Sequence, residues 1–274
     1  KLLQVSLPAM LVALNRQAAG VVPEILLHAL EEDWSEIEAA VPDEAGINLE
    51  PDVHQLACII YTSGTTGNPK GVMISHGNLA ANVASILAAL PIQPGDRFLN
   101  VLPFYYSYGN SVLHTHVVQG ATLLLENSLM YPHAVVARLQ NERITGFAGV
   151  PSTFALLLSR GKVAEHDLSA LRYVLQAGGA MAVPLTRDVM GLVSPHIYVM
   201  FGQTAATARL TCLPPARLQE KLGSVGLPIA NVEIQIRRPD GGVCAAGESG
   251  ELYARGGNIA LGYWRNDTAT AETF

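Results

Sequence analysis

Two apolar runs of strand length, Leu56-Ala57-Cys58-Ile59-Ile60-Tyr61 and Val72-Met73-Ile74, bracket a segment of very different chemistry. From Tyr61 to Gly71 the chain reads Tyr-Thr-Ser-Gly-Thr-Thr-Gly-Asn-Pro-Lys-Gly, with four Ser/Thr hydroxyls, three glycines and one lysine. Glycines let backbone N–H groups turn inward, hydroxyls add donors, and a lysine adds a mobile positive charge. Together they suit a cradle for phosphate oxygens between two strands. The Walker loop is excluded, because Asn68-Pro69 separates Gly67 from Lys70 where that motif needs Gly-Lys-Ser/Thr. No Gly-x-Gly-x-x-Gly occurs, so the dinucleotide fingerprint is excluded too. A flexible Ser/Gly linker would have no reason to end in Pro-Lys-Gly between two strand-like runs.

The 274-residue chain is 49% hydrophobic, enough for a sizeable core in one or two domains. No apolar run is long enough for a membrane span. The opening Lys1-Leu2-Leu3 loosely imitates a secretory signal, but Gln4, Ser6 and Pro8 interrupt it, and an excised internal start is expected. Cys58, Cys212 and Cys244 are odd in number and far apart, without metal spacing, which fits a reducing, cytoplasmic setting. Net charge is −6, yet Glu31 to Asp52 holds nine acidic residues and no Lys or Arg. The remainder carries no clustered basic face, so a nucleic-acid partner is not expected.

Along the chain, the pattern predicts a strand at 2–5, a helix from Pro8 to Ala19 closed by Gly20, and a strand from Val21 to Leu27. An acidic connector over 31–54 leads to strand 56–61, the phosphate loop and strand 71–74. Ser75 then caps a helix whose apolar face is Leu79, Val83, Ile86, Leu87 and Leu90. Strands at 97–102, 121–126, 145–150, 171–176 and 196–201 alternate with helices near 109–119 and at 132–142, 152–160 and 184–192. Such alternation predicts an α/β fold of layered, largely parallel sheets with flanking helices. After Pro214, short strands over 225–237, at 243 and over 251–254, separated by Pro-Asp-Gly-Gly and Glu-Ser-Gly, predict a small β-barrel-like part. Boundaries are expected at 1–95, 96–214 and 215–274. No internal repeat is present.

The phosphate-loop stretch resembles the signature of the adenylate-forming enzymes: acyl-CoA synthetases, aryl-acid ligases, luciferases and peptide-synthetase adenylation domains. Further stretches match that family in its order. Leu102-Pro103-Phe104-Tyr105-Tyr106-Ser107-Tyr108-Gly109 resembles the segment that lines the acid pocket, with Tyr106 at a position often held by His. Gly149-Val150-Pro151-Ser152-Thr153 looks like part of the acyl-pocket wall. Gln176-Ala177-Gly178-Gly179-Ala180-Met181 resembles the turn that approaches adenine and the acyl group. Phe201-Gly202-Gln203-Thr204-Ala205 resembles aromatic-Gly-x-Thr-Glu, in which the aromatic borders adenine, Thr meets the α-phosphate and Glu holds Mg²⁺. Gly250-Glu251-Leu252 and Gly262-Tyr263-Trp264 match a later Gly-Glu-Leu and Gly-Tyr stretch.

The resemblance implies an internal piece of the family's large N-terminal domain. ATP would be held by Thr62, Ser63, Gly64, Thr65, Thr66, Gly67 and Lys70, and by Gly178, Gly179, Ala180, Phe201, Gly202, Gln203 and Thr204. Lys70 and Thr204 would carry catalysis. Tyr106, Ser107, Tyr108, Gly149 and Val150 would border the acid. Mg²⁺ is the family's metal, but Ala205 stands where the Glu is expected, and a methyl group cannot ligate a hard cation. The implied activity is ATP-dependent activation of a fatty or aryl carboxylic acid as an acyl-adenylate, then transfer to the thiol of CoA or of an acyl or peptidyl carrier protein. Amino-acid activation is disfavoured, because 102–112 holds no acid to anchor an ammonium group. The family's ribose-binding Asp and C-terminal Lys are not in these residues, so this piece alone is expected to be inactive. Two alternatives stay open: a nucleotide-binding pseudo-enzyme, and a loading module of a polyketide or peptide megasynthase. Two decoys fall away. His114 and His116, two apart on a helix, point to different sides, and no nucleophile elbow surrounds Ser63.

Overall fold

The computed structural model describes residues 52–62, 69–126 and 128–274, together with two further strands, Met10–Ala13 and Leu26–Ala29. The chain divides into two compact units, 1–51 and 52–274. In the first, β1 (Met10–Ala13) and β2 (Leu26–Ala29) pair in parallel, Met10 opposite Leu26 and Ala13 opposite Ala29. At Met10–Ala13 this corrects the helix expected over Pro8 to Ala19, the rest of which lies outside the described residues. A four-residue apolar run such as Met-Leu-Val-Ala fits either period, and a partner strand in register decides it. Of the strand expected from Val21 to Leu27, Leu26 and Leu27 fall in β2, and 21–25 lie outside the described residues. The strand at 2–5 and nearly all of the acidic connector lie outside the described residues.

The second unit runs β3 (Leu56–Thr62), β4 (Lys70–Ser75), α1 (His76–Ala89), β5 (Arg97–Asn100), α2 (Ser107–Gln119), β6 (Thr122–Leu125), α3 (Pro132–Asn141), β7 (Gly146–Gly149) and α4 (Pro151–Arg160). It continues with β8 (Tyr173–Gln176), α5 (Val183–Leu192), β9 (Ile197–Phe201), β10 (Thr211–Leu213), α6 (Pro215–Leu218), β11 (Leu227–Pro228), β12 (Val232–Arg237), β13 (Glu251–Gly256), β14 (Gly262–Tyr263) and α7 (Asp267–Thr273). Local chemistry explains the helix starts. Ser75 Oγ accepts the Asn78 N–H at 3.1 Å and Asn78 Oδ1 accepts the Ser75 N–H at 3.0 Å, a reciprocal cap that opens α1. Pro132, Pro151 and Pro184 sit in the first turns of α3, α4 and α5, where a missing N–H costs nothing.

Seven strands form one sheet in the order β11-β10-β9-β8-β7-β5-β6, with β6, β5, β7, β8 and β9 mutually parallel and β10 and β11 antiparallel at one edge. Successive residues of each buried strand serve opposite faces. Leu99, Phe147, Val174 and Ile197 join Val136 of α3, Phe154 of α4 and Val189 of α5 in one core. Phe98, Ala148, Leu175 and Met200 join Ile86 of α1 and Val112 of α2 in the other. Each fully buried large apolar side chain contributes about 1.5–3 kcal/mol, and Phe147 and Phe154 add an edge-to-face contact at 6.1 Å.

Two smaller sheets complete the unit. In one, β3 and β4 flank the phosphate loop, and β14 joins β4 with Tyr263 opposite Val72. In the other, β12 and β13 form an antiparallel pair from Val232–Gly256 to Arg237–Glu251. The stretch read as one strand over 225–237 is split into β11 and β12. Asn231, just before β12, holds a positive φ of 60° that breaks the extended run. No described helix is long and apolar enough to cross a membrane.

Candidate functional site

Parallel strands send all their carboxyl ends to one edge of the sheet, and the chain leaves β5, β7, β8 and β9 there through the segments singled out in the sequence. After β5, Asn100 Nδ2 donates to the Leu102 carbonyl at 2.7 Å and the Pro103 carbonyl accepts the Tyr106 N–H at 3.1 Å, which turns the chain into α2. Gly109 makes that turn possible, because a β-carbon there would collide with the Pro103 carbonyl. This close approach starts α2 at Ser107, two residues earlier than its expected start near 109.

Three segments meet at Gly178. Its φ is +81°, and a β-carbon would stand 2.7 Å from the Tyr106 hydroxyl and 2.9 Å from Val150 Cγ1. Thus the tyrosine after β5, the valine after β7 and the glycine after β8 share one point. The turn is fixed from below, where buried Gln176 donates through Nε2 to the Gly179 carbonyl at 2.8 Å. Gly178, Gly179 and Ala180 are exposed, so a flat ring can lie against bare backbone. From β9, Thr204 reaches the same edge, its Oγ1 3.3 Å from Ser107 Oγ.

The turn after β9 is tightly held. Gly202 passes so close to the returning chain that a β-carbon would overlap the Ala208 carbonyl oxygen. Thr207, at a φ of +65°, donates through Oγ1 to the Asn258 carbonyl at 2.6 Å. Asn258 Nδ2 donates to the carbonyls of Ala206 and Arg209 at 3.1 and 3.2 Å, and Asn82 of α1 donates to the Arg209 carbonyl at 3.0 Å. Asn82 and Asn258 were not legible as site supports, since a lone Asn in a helix or a Gly-Gly-Asn turn has many uses. Phe201 is half-buried and Gln203 is exposed beside this turn.

Other expected residues sit differently. Tyr108 is only 2% exposed, and its hydroxyl donates to the Leu175 carbonyl at 2.9 Å, so it belongs to the core under the acid segment rather than to an open pocket wall. Gly149 is buried under α4, where a β-carbon would meet Thr153 at 3.0 Å. Lys70 opens β4 with its Nζ 5.0 Å from the centre of the Tyr263 ring, and Thr62 Oγ1 is 3.5 Å from the Lys70 carbonyl. Ser63, Gly64, Thr65, Thr66 and Gly67 lie outside the described residues.

Where the family resemblance would put a metal ligand, the side chain present does not fit one. Ala205 offers no side-chain oxygen, and its carbonyl accepts the Ala260 N–H at 2.9 Å. Among the described residues no three His, Cys, Asp or Glu side chains gather as a metal site. His116 is a core residue: Nδ1–H donates to the Val112 carbonyl at 2.8 Å and Nε2 faces the Tyr173 hydroxyl at 3.1 Å. Burial lowers the pKa of His114 and pushes that of His116 down to about 4.

A family model described as AMP-binding enzyme matches residues 4–264. The chain belongs to the AMP-binding enzyme family. Its relatives include the feruloyl-CoA synthase of Amycolatopsis sp, 32% identical over 241 residues covering 86% of this chain and 48% of that protein. The 2-succinylbenzoate–CoA ligase of Bacillus subtilis (strain 168) is 30% identical over 242 residues, 88% of this chain and 49% of the relative. Among solved structures, o-succinylbenzoate CoA synthetase from Bacillus subtilis in complex with ATP and magnesium ion superposes with a TM-score of 0.81 at 27% identity. That match covers 97% of this chain and 54% of the other. This AMP-binding chain therefore spans about half the length of the curated relatives it matches.

Proposed function

We propose that the protein carrying this chain activates a carboxylic acid with ATP and passes the acyl group to the thiol of CoA. The observation that carries the reading is the meeting of Tyr106, Val150, Gly178 and, through Ser107, Thr204 on one sheet edge. The relatives' names, CoA ligases for aryl and fatty acids, support CoA as the acceptor. In the first step a carboxylate oxygen attacks the α-phosphorus of ATP and pyrophosphate leaves. In the second the thiol sulfur attacks the acyl carbon and AMP leaves.

In this reading adenine lies against the Gly178–Ala180 turn and Phe201. Thr204, oriented by Ser107, donates to the α-phosphate, and Tyr106 and Val150 border the acyl group. Lys70 and the hydroxyls of Thr62, Ser63, Thr65 and Thr66 take the β- and γ-phosphates, where positioned donors stabilise growing charge. The ring of Tyr263 restrains the Lys70 side chain without neutralising it. Lys70→Ala is accordingly expected to weaken ATP binding about ten- to a hundredfold, the scale of a charge-assisted contact, and AMP binding far less. Calorimetry with both nucleotides checks this, and equal losses would remove Lys70 from the phosphate site.

Ala205 favours a second reading, a nucleotide-binding protein that does not turn over. ATP–pyrophosphate exchange on the complete protein separates the two. Exchange by the natural form supports acid activation, whereas ATP binding without exchange supports the second. Ala205→Glu is expected to raise Mg²⁺-dependent exchange by about tenfold or more. If the natural form is already as active, no metal-ligating side chain is needed at this turn.

A further inference from the structure

The acid-activation reading leaves one buried charge unused. Arg209, on the return from the Thr204 turn, is 2% exposed. Among the described residues, no Asp or Glu lies within ion-pair distance of it. Its guanidinium carbon stands 3.9 Å over the Tyr108 ring, and its Nε donates to the Met200 sulfur at 3.4 Å. A guanidinium has five N–H donors, and one thioether is a weak acceptor for them. A cation–π contact offsets only a small part of the cost of burying an ion. Burial accordingly draws the Arg209 pKa below its usual value. The protein supplies too little to balance this charge.

Its position says what could. The Tyr108 ring that carries the guanidinium lies 6.3 Å, centre to centre, from the ring of Tyr106. Tyr106 is the residue whose hydroxyl meets Gly178 and Val150. Ser107, between the two tyrosines, contacts Thr204. Arg209 therefore adjoins the aromatic segment assigned to the acyl group, on the same side of the sheet as Tyr106, Leu175 and Ala177. An apolar acyl chain needs only an apolar wall. A fixed cation beside that wall suits an acid whose far end is itself negative, and Arg presents a planar fork that matches a carboxylate.

We propose that Arg209 selects the acid, taking a second carboxylate at the distal end of the acyl group onto the Nη edge of its guanidinium, which the contacts with Tyr108 and Met200 leave free. The substrate class is then a carboxylic acid with a second acidic group, activated at the end nearer Thr204. The proposal rests on the acid-activation reading.

The test is calorimetric binding to the complete protein of two non-hydrolysable acyl-adenylate mimics, acyl sulfamates of adenosine. They have equal chain length, one ending in a methyl group and one in a carboxylate. The natural protein is expected to favour the carboxylate-ended probe about ten- to a hundredfold. Arg209→Met, of similar length and without charge, is expected to abolish that preference or reverse it. Arg209→Lys keeps the charge without the fork and is expected to fall between them. Equal affinity for the two probes, preference for the methyl-ended one, or a preference that survives in Arg209→Met would overturn the proposal while leaving acid activation standing. If Arg209→Met fails to fold, judged by its melting temperature and AMP binding, the natural protein and Arg209→Lys decide by the same criterion. A natural protein that binds AMP but neither probe would overturn both readings.

Discussion

Alanine at Gly202 is expected to cost about 3–5 kcal/mol of stability, more than the usual 1–3 for overpacking. The added carbon would overlap the Ala208 oxygen and lie 2.6 Å from its carbonyl carbon and 2.8 Å from Arg209 Cα. All three are backbone atoms, so no rotamer change can relieve the clash. The two chain segments cannot simply separate either. Leu210 N–H donates to the Phe201 carbonyl at 2.8 Å, and the returning segment is tied by Asn82, Asn258 and Ala260. Opening the turn would break these bonds and move Thr204 away from Ser107. Urea unfolding of Gly202→Ala against the natural protein measures the loss. Gly191, in α5, is the control, since a β-carbon added there would meet nothing within 4 Å. At that position alanine should be neutral or stabilise by up to about 1 kcal/mol through helix propensity. Equal unfolding midpoints for the natural protein and Gly202→Ala would show that the crossing is loose.

Acid should destabilise the fold well before its carboxylates are protonated, and His116 is the reason. The ring is fully buried, with Phe98 at 4.2 Å between ring centres and Tyr173 on its Nε2 side. Desolvation lowers its pKa from 6.5 to about 4, against smaller opposing effects from the Val112 carbonyl and the charge of Asp96. The sign follows from linkage. Between those pH values the unfolded chain binds a proton that the folded state refuses, so stability is complete above 6.5 and falls as pH drops towards 4. The full loss is about 3 kcal/mol at 1.36 kcal/mol per pKa unit. His114 shifts in the same direction, also by desolvation. Urea midpoints from pH 7 to 4 for the natural protein and His116→Gln test this. The variant is expected to be less stable at pH 7 and to lose less on acidification. Parallel pH profiles would assign the acid sensitivity elsewhere.

The α/β alternation was legible because each parallel strand is a short apolar run and each helix carries a boundary residue. Ser75 announced α1, and the helices expected at 132–142, 152–160 and 184–192 form with Pro132, Pro151 and Pro184 in their first turns. At 8–19 the boundary residues Pro8 and Gly20 did not decide the element. Met10–Ala13 lay within an expected helix and is a strand, since four apolar residues define no period and a partner strand decides.

For the site, the sequence by itself determined which residue types stand at each strand end: the hydroxyl-rich loop before Lys70, Gly178-Gly179, Thr204 with Ala205 after it, and Tyr106 to Tyr108. Those are local facts, written within a few residues of one another. Only the tertiary structure decided that Tyr106 turns towards Gly178 while Tyr108 enters the core. Only it placed Arg209 over Tyr108, Asn258 under the Thr204 turn and Tyr263 beside Lys70. The physical reason is that these contacts join residues far apart in the chain. Each depends on how neighbouring strands and helices pack, and a one-dimensional pattern carries no register between distant elements.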